Sequence, residues 1–103
     1  MLWAIQRKIR ARQYEFSRHA LDQSILRDIR VSEVEEALLG AIEIVEDNPN
    51  DKYGPSCLLL GITLQGRVLH VLCSYPTRPL LKIITLYEPD PEKWIDHRIR
   101  RNP

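Results

Sequence analysis

Cysteine and glycine are scarce in this sequence, and no long apolar run is present. Cys57 and Cys73 are the only cysteines, and neither belongs to a CxxC pair. That count excludes a disulfide framework and a cysteine-based zinc site. The longest mostly apolar stretch, residues 57–64, falls far short of the ~20 residues that a spanning helix needs. Arg7, Lys8, Arg10 and Arg12 stand where the apolar part of a signal peptide would lie. A cytoplasmic protein with no membrane partner is therefore expected. Neither sign of charge dominates, since 15 basic and 14 acidic side chains leave +1. The histidines, His19, His70 and His97, are scattered, with no HxH, HExxH or GxSxG motif. No metal, cofactor or serine nucleophile is expected from such spacing.

What is present is a globular composition, 44% hydrophobic and 28% charged over 103 residues. A chain of this size buries one core and not two, so a single domain over 1–103 is expected. Charge is unevenly spread: residues 1–30 carry a net +4, residues 31–53 a net −6 and residues 54–103 a net +3. The two basic ends make one patch if the fold brings them together.

Leu2, Ile5 and Ile9 recur at helical spacing, and Tyr14 to Phe16 reads as a short extended piece. Ser17 is a candidate N-cap for a second helix over 17–27. Ser32, with Glu35 three residues on, predicts a capping box for a third helix that stops at Gly40. Strands come next: one starts at Ile42 and Ile44, and others cover 56–64, 67–75 and 80–87, with a hairpin turn at Gln65-Gly66. Pro91, ahead of residues 92–101, predicts a closing helix. The whole reads as α+β: N-terminal helices packed on one face of an antiparallel sheet of about four strands, then a short C-terminal helix.

Ser17-Arg18-His19-Ala20 opens the second helix, and Arg27 with Ile29 ends it. Ser32, Glu33 and Val34 start the third helix. Gly61 lies in one strand, Val68-Leu69-His70-Val71 in the next, and Ile84-Thr85-Leu86-Tyr87-Glu88-Pro89 closes the set. In this order the pieces resemble the family of unknown function numbered 4258, over about 14–89. One departure stands out, because Asp28 comes after Arg27 where the family pattern has glycine. Trp94 lies outside the pattern. The family looks related to small RelE-like and barnase-like ribonucleases of toxin–antitoxin systems. That resemblance implies metal-independent cleavage of RNA, with RNA and an antitoxin protein as partners.

His19 and His70 are the expected acid–base pair. An imidazole near a helix N-terminus is held neutral by the dipole, as a general base must be. Period two places His70 opposite Leu69 and Val71, on the open sheet face if helices cover the other. Thr85 and Tyr87 share a face and are expected to position the scissile nucleotide, Tyr87 by stacking. Arg27, Arg67 and Arg78 are candidate phosphate contacts, Arg27 first because the resemblance includes it. The rival expectation is a non-catalytic module that binds protein or nucleic acid, which the near-zero net charge favours. A third is a homodimer buried through Leu58-Leu59-Leu60. Cys57 and Cys73 read as buried free thiols.

Overall fold

The apolar spacing of residues 1–40 forms three helices in the computed structural model, which describes residues 1–102. Helix α1 (Leu2–Arg10) buries Ile5 and Ile9, one turn apart. Strand β1 (Tyr14–Phe16) leads into α2 (Arg18–Leu26), and α3 (Val31–Leu39) ends at Gly40. Four longer strands complete the sheet: β2 (Glu43–Asn48), β3 (Ser56–Ile62), β4 (Val68–Ser74) and β5 (Leu81–Tyr87). The sheet runs β1-β5-β4-β3-β2, antiparallel except where β1 lies parallel to β5.

The core forms between the helices and one sheet face. Ile5, Ile9, Ala20, Val34, Ala37 and Leu38 meet Leu59, Leu69, Val71, Leu81, Ile83 and Leu86. Alternation along β3 and β4 puts Cys57 and Cys73 on this face as well, paired across the ladder and buried as free thiols. Their sulfurs lie 3.9 Å apart, and the hydrogen bond between them, then burial, pushes the Cys73 thiol up. At Gly61 the sheet comes close against the α3 backbone. A Cβ there would stand 2.6 Å from the Ala37 carbonyl oxygen, inside van der Waals contact with backbone.

Three expectations need correction. The sheet has five strands and is mixed, because the short extended piece at Tyr14–Phe16 finds a parallel partner in β5. Ser32 does not cap α3. The cap is Arg30, whose backbone N–H donates to Glu33 Oε1 at 3.0 Å, so Glu33 takes the role assigned to Glu35. The closing helix is a hairpin, β6 (Trp94–Ile95) with β7 (Ile99–Arg100). Pro91 sits in a single turn, in which Trp94 N–H donates to the Asp90 carbonyl. Asp96 and His97 then both adopt positive φ, 52° and 61°. Consecutive left-handed residues stop a helix and reverse the chain.

The glycine that the family pattern places after Arg27 has a physical counterpart here. Asp28 takes φ 53° at the end of α2, and aspartate is one of the few side chains that tolerate that region.

Gly61→Ala should destabilise the fold by about 1–3 kcal/mol, the usual cost of forcing atoms into a filled site. Urea unfolding would check it. An unchanged midpoint would show that α3 can move off the sheet without loss.

Candidate functional site

His70 and Tyr87 face each other across β4 and β5, as the period-two reading expects. Their side chains meet, with His70 Nδ1 3.3 Å from the Tyr87 hydroxyl. The face is not open, however. The C-terminal hairpin lies over it, Trp94 stacks edge-on against His70 at 4.6 Å between ring centres, and His70 is 0% exposed. The other imidazole nitrogen, Nε2, is 2.6 Å from the His97 carbonyl. A carbonyl only accepts, so Nε2 carries the proton and Nδ1 accepts from Tyr87. Both ring nitrogens are thus engaged. Burial holds the imidazole below the ordinary histidine value, with the His97 carbonyl opposing it, and burial pushes the Tyr87 phenol up.

The hairpin is tied down by charge. Arg98 donates to both oxygens of Glu43, and Arg100 to both oxygens of Glu46 on β2. Arg100 also lies over the Trp94 ring, 4.7 Å from its centre. The same hairpin side of the sheet holds Leu58 and Leu60, 3% and 4% exposed within one chain. The apolar run expected to bury a homodimer is therefore already buried.

Arg67 is also occupied. Its guanidinium donates to the Asp28 and Arg27 carbonyls, to Glu33 and to Glu88. It fastens the end of α2, the start of α3 and the end of β5 together, and offers no free edge to a phosphate. Arg27 is exposed and stands 5.9 Å from the centre of the Tyr87 ring, while its Nε donates to Gln23. Thr85 shares the sheet face of His70 and pairs with Leu72.

His19 lies elsewhere. It lines a cleft of about 580 Å³ together with Tyr53, Tyr75, Arg78 and Lys82. Ser17, Ser74, Thr77 and Ile84 complete much of the wall, and among the described residues no acidic side chain lines it. The local cause is a register shift between β4 and β5. Leu72 pairs with Thr85 and Cys73 with Ile83, so Ile84 is an extra residue. Its carbonyl is left to accept from the Ser17 hydroxyl at 2.8 Å. Ser17 also accepts from Ala20 N–H as the N-cap of α2. One serine thus pins the helix start to the bulge, which sets His19 at the cleft wall. Beyond the bulge the strands part, and Ser74 Oγ accepts from Lys82 N–H in place of a backbone bond.

The expected convergence of His19, His70, Thr85 and Tyr87 on one surface is therefore corrected. His70 and Tyr87 form a covered pair, whereas His19 and Arg78 share the open cleft. Tyr53, Tyr75 and Lys82 are cleft residues that the motifs did not single out. Lys82 had a signal, being the charged outward position between Leu81 and Ile83, both buried. Tyr53 is 86% exposed beside Gly54-Pro55, and Tyr75 gives its hydroxyl to Asp47 at 2.5 Å, which pushes that phenol up to about 12. Among the described residues, no three histidine, cysteine, aspartate or glutamate side chains gather as a metal site.

A family model for a domain of unknown function, DUF4258, matches residues 16–88. The chain belongs to the DUF4258 family. Neither a curated protein nor a solved structure matches it, so no relative stands behind the expected kinship with RelE-like and barnase-like ribonucleases. The DUF4258 region holds the cleft and the His70–Tyr87 pair. Helix α1 and the covering hairpin lie outside the matched residues, one on either side. No helix is long and apolar enough to cross a membrane among the described residues.

The buried neutral imidazole gives a pH prediction. His70 is held below its ordinary value of 6.5, so below about 6.5 the unfolded chain binds the proton that the folded chain refuses. Stability should therefore rise with pH through that window and be lost as pH falls from about 7 toward the folded-state value. Melting temperatures from about pH 7.5 to about pH 5 should fall for the wild type and fall less steeply for His70→Gln. Parallel curves for the two proteins would contradict a neutral His70 in the fold.

Proposed function

We propose that the cleft between the start of α2 and the parted ends of β4 and β5 binds single-stranded RNA. The observation that carries this is the wall itself, with an imidazole, a guanidinium and an ammonium beside two tyrosine rings and no carboxylate. The guanidinium and the ammonium hold a phosphate backbone, and aromatic faces hold unpaired bases with little regard to sequence. The charge pattern agrees. Among the described residues, the ion pairs engage Arg30, Arg67, Arg98 and Arg100, whereas Arg78 and Lys82 enter none. A net charge of +1 thus conceals a surface on which the cleft cations remain available for phosphate.

One observation favours cleavage as a second reading: His19 and Lys82 line the same cleft. His19 is the exposed histidine on α2. The imidazole would take the proton of a ribose 2′-hydroxyl as the 2′-oxygen bonds to the adjacent phosphorus. The bond from phosphorus to the 5′-oxygen breaks, and that oxygen takes a proton from Lys82. Arg78 would stabilise the added negative charge. The products are a 2′,3′-cyclic phosphate and a free 5′-hydroxyl. In this scheme His70, Tyr87 and Arg67 hold the fold, and Arg27 and Thr85 lie outside the reacting centre.

The test uses purified protein and end-labelled single-stranded RNA, with and without a chelator. Arg78→Ala with Lys82→Ala should weaken binding by about ten-fold or more at low salt, because each phosphate contact adds to the salt-dependent affinity. If the chain is a ribonuclease, His19→Ala should slow cleavage by about 10²–10⁴, chelation should change nothing, and cyclic phosphate ends should appear. Binding without cleavage would leave a binding module. No binding by the wild type would end the RNA reading.

A further inference from the structure

Helix α1 carries an exposed stripe that the core does not use. Trp3, Arg7 and Arg10 are spaced four and three residues apart, so they lie on one side of the helix, opposite the buried Ile5 and Ile9. Trp3 is 68% exposed, although it is the largest apolar side chain of the helix. The Arg7 guanidinium lies 5.4 Å from the centre of its ring. No acidic residue occurs before Glu15. Arg7, Lys8 and Arg10 enter no ion pair among the described residues.

The stripe neighbours the cleft across loop 76–79. Trp3, Arg7, Lys8, Gln13 and Pro76 surround a second hollow of about 310 Å³. Pro76 is the chain neighbour of Tyr75 and Thr77, both of which line the cleft. Lys8 Nζ donates to the Pro79 carbonyl at 2.9 Å, and Leu81 N–H donates to the Gln13 carbonyl at 3.0 Å. Loop 76–79 is therefore held between the two hollows, with Arg78 on the cleft side.

We propose that α1 is a second subsite for single-stranded nucleic acid, with Trp3 as a stacking platform and Arg7 and Arg10 as phosphate contacts. It extends a strand held in the cleft past loop 76–79, and so rests on the RNA-binding reading. An indole face accepts any base, and a cation over the ring strengthens the platform. A lipid surface fits less well, because a membrane-lying helix must expose a whole apolar face. Here Ile5 and Ile9 are spent on the core, and Trp3 alone among the large apolar residues remains fully outward within α1.

The test compares fluorescence anisotropy of labelled oligouridylates of about 4 and about 12 nucleotides, within the usual range of site sizes. Wild-type protein should bind the longer strand more tightly. Trp3→Ala should weaken the longer strand by about ten-fold, the loss of one stacked base, and leave the shorter unchanged. Trp3→Phe should restore most of the difference. Arg7→Gln and Arg10→Gln should each lower the salt slope for the longer strand by about 0.7. Trp3→Ala without effect on the longer strand, or with equal loss on both strands, would overturn the subsite. So would a Trp3-dependent partition onto phosphatidylserine vesicles with RNA affinity unchanged. Arg78→Ala should weaken both strands, the short one included, which tests the cleft separately from α1. Arg78→Ala without effect on either strand, with the Trp3→Ala loss intact, would defeat the cleft reading by a result distinct from failure of the subsite.

Discussion

A single extra residue in β5 is the constraint on which the open cleft depends. Because Ile84 has no partner in β4, its carbonyl is free for the Ser17 hydroxyl. A bulge of this kind bends a strand and re-aims the residues beyond it. Here it lets β4 and β5 part, so that Tyr75, Arg78 and Lys82 line a hollow and are not bound in a ladder. The same serine caps α2, so the helix that carries His19 starts where the strands separate. Packing of α3 leaves that helix little room to move, since Gly61 brings the sheet against the Ala37 backbone.

The two sheet faces have opposite uses of polarity. The helix face is filled by apolar side chains and two thiols. The opposite face carries His70 and Tyr87, a pairing that looks catalytic in sequence. Burial makes the difference. Once Trp94 and the His97 carbonyl close over the imidazole, both of its nitrogens are used and water is excluded. A buried polar pair with all partners satisfied fixes one arrangement of the elements around it. Arg67 obeys the same logic, since its partners lie just past the end of α2, in α3 and just past the end of β5.

Local features were legible in the sequence. Helical spacing placed α1, and Ser17 marked the cap of α2 because a short hydroxyl before an apolar stripe has few other local uses. Strands β3, β4 and β5 fell where β-rich runs lie between turns, within one or two residues. Features set by distant partners were not legible. The parallel pairing of Tyr14–Phe16 needs β5 in place. The hairpin at 94–100 depends on Asp96 and His97 accepting positive φ, whereas Pro91 and Glu92 signalled a helix start and produced one turn. The site divided for the same reason. His19 and His70 share a chemistry, but nothing local reveals that a tryptophan 24 residues beyond His70 covers it.

The central claim is that the accessible chemistry lies in the His19 cleft and that the His70–Tyr87 pair is structural. Histidine imidazole resonances tracked by NMR during titration with a short single-stranded RNA test it directly. The account predicts that the His19 ring protons and the backbone signals of residues 75–82 shift with saturation, while the His70 ring and the Trp94 indole stay in place. Shifts at His70 and Trp94 with His19 unmoved would contradict it, and would put the ligand beneath the hairpin.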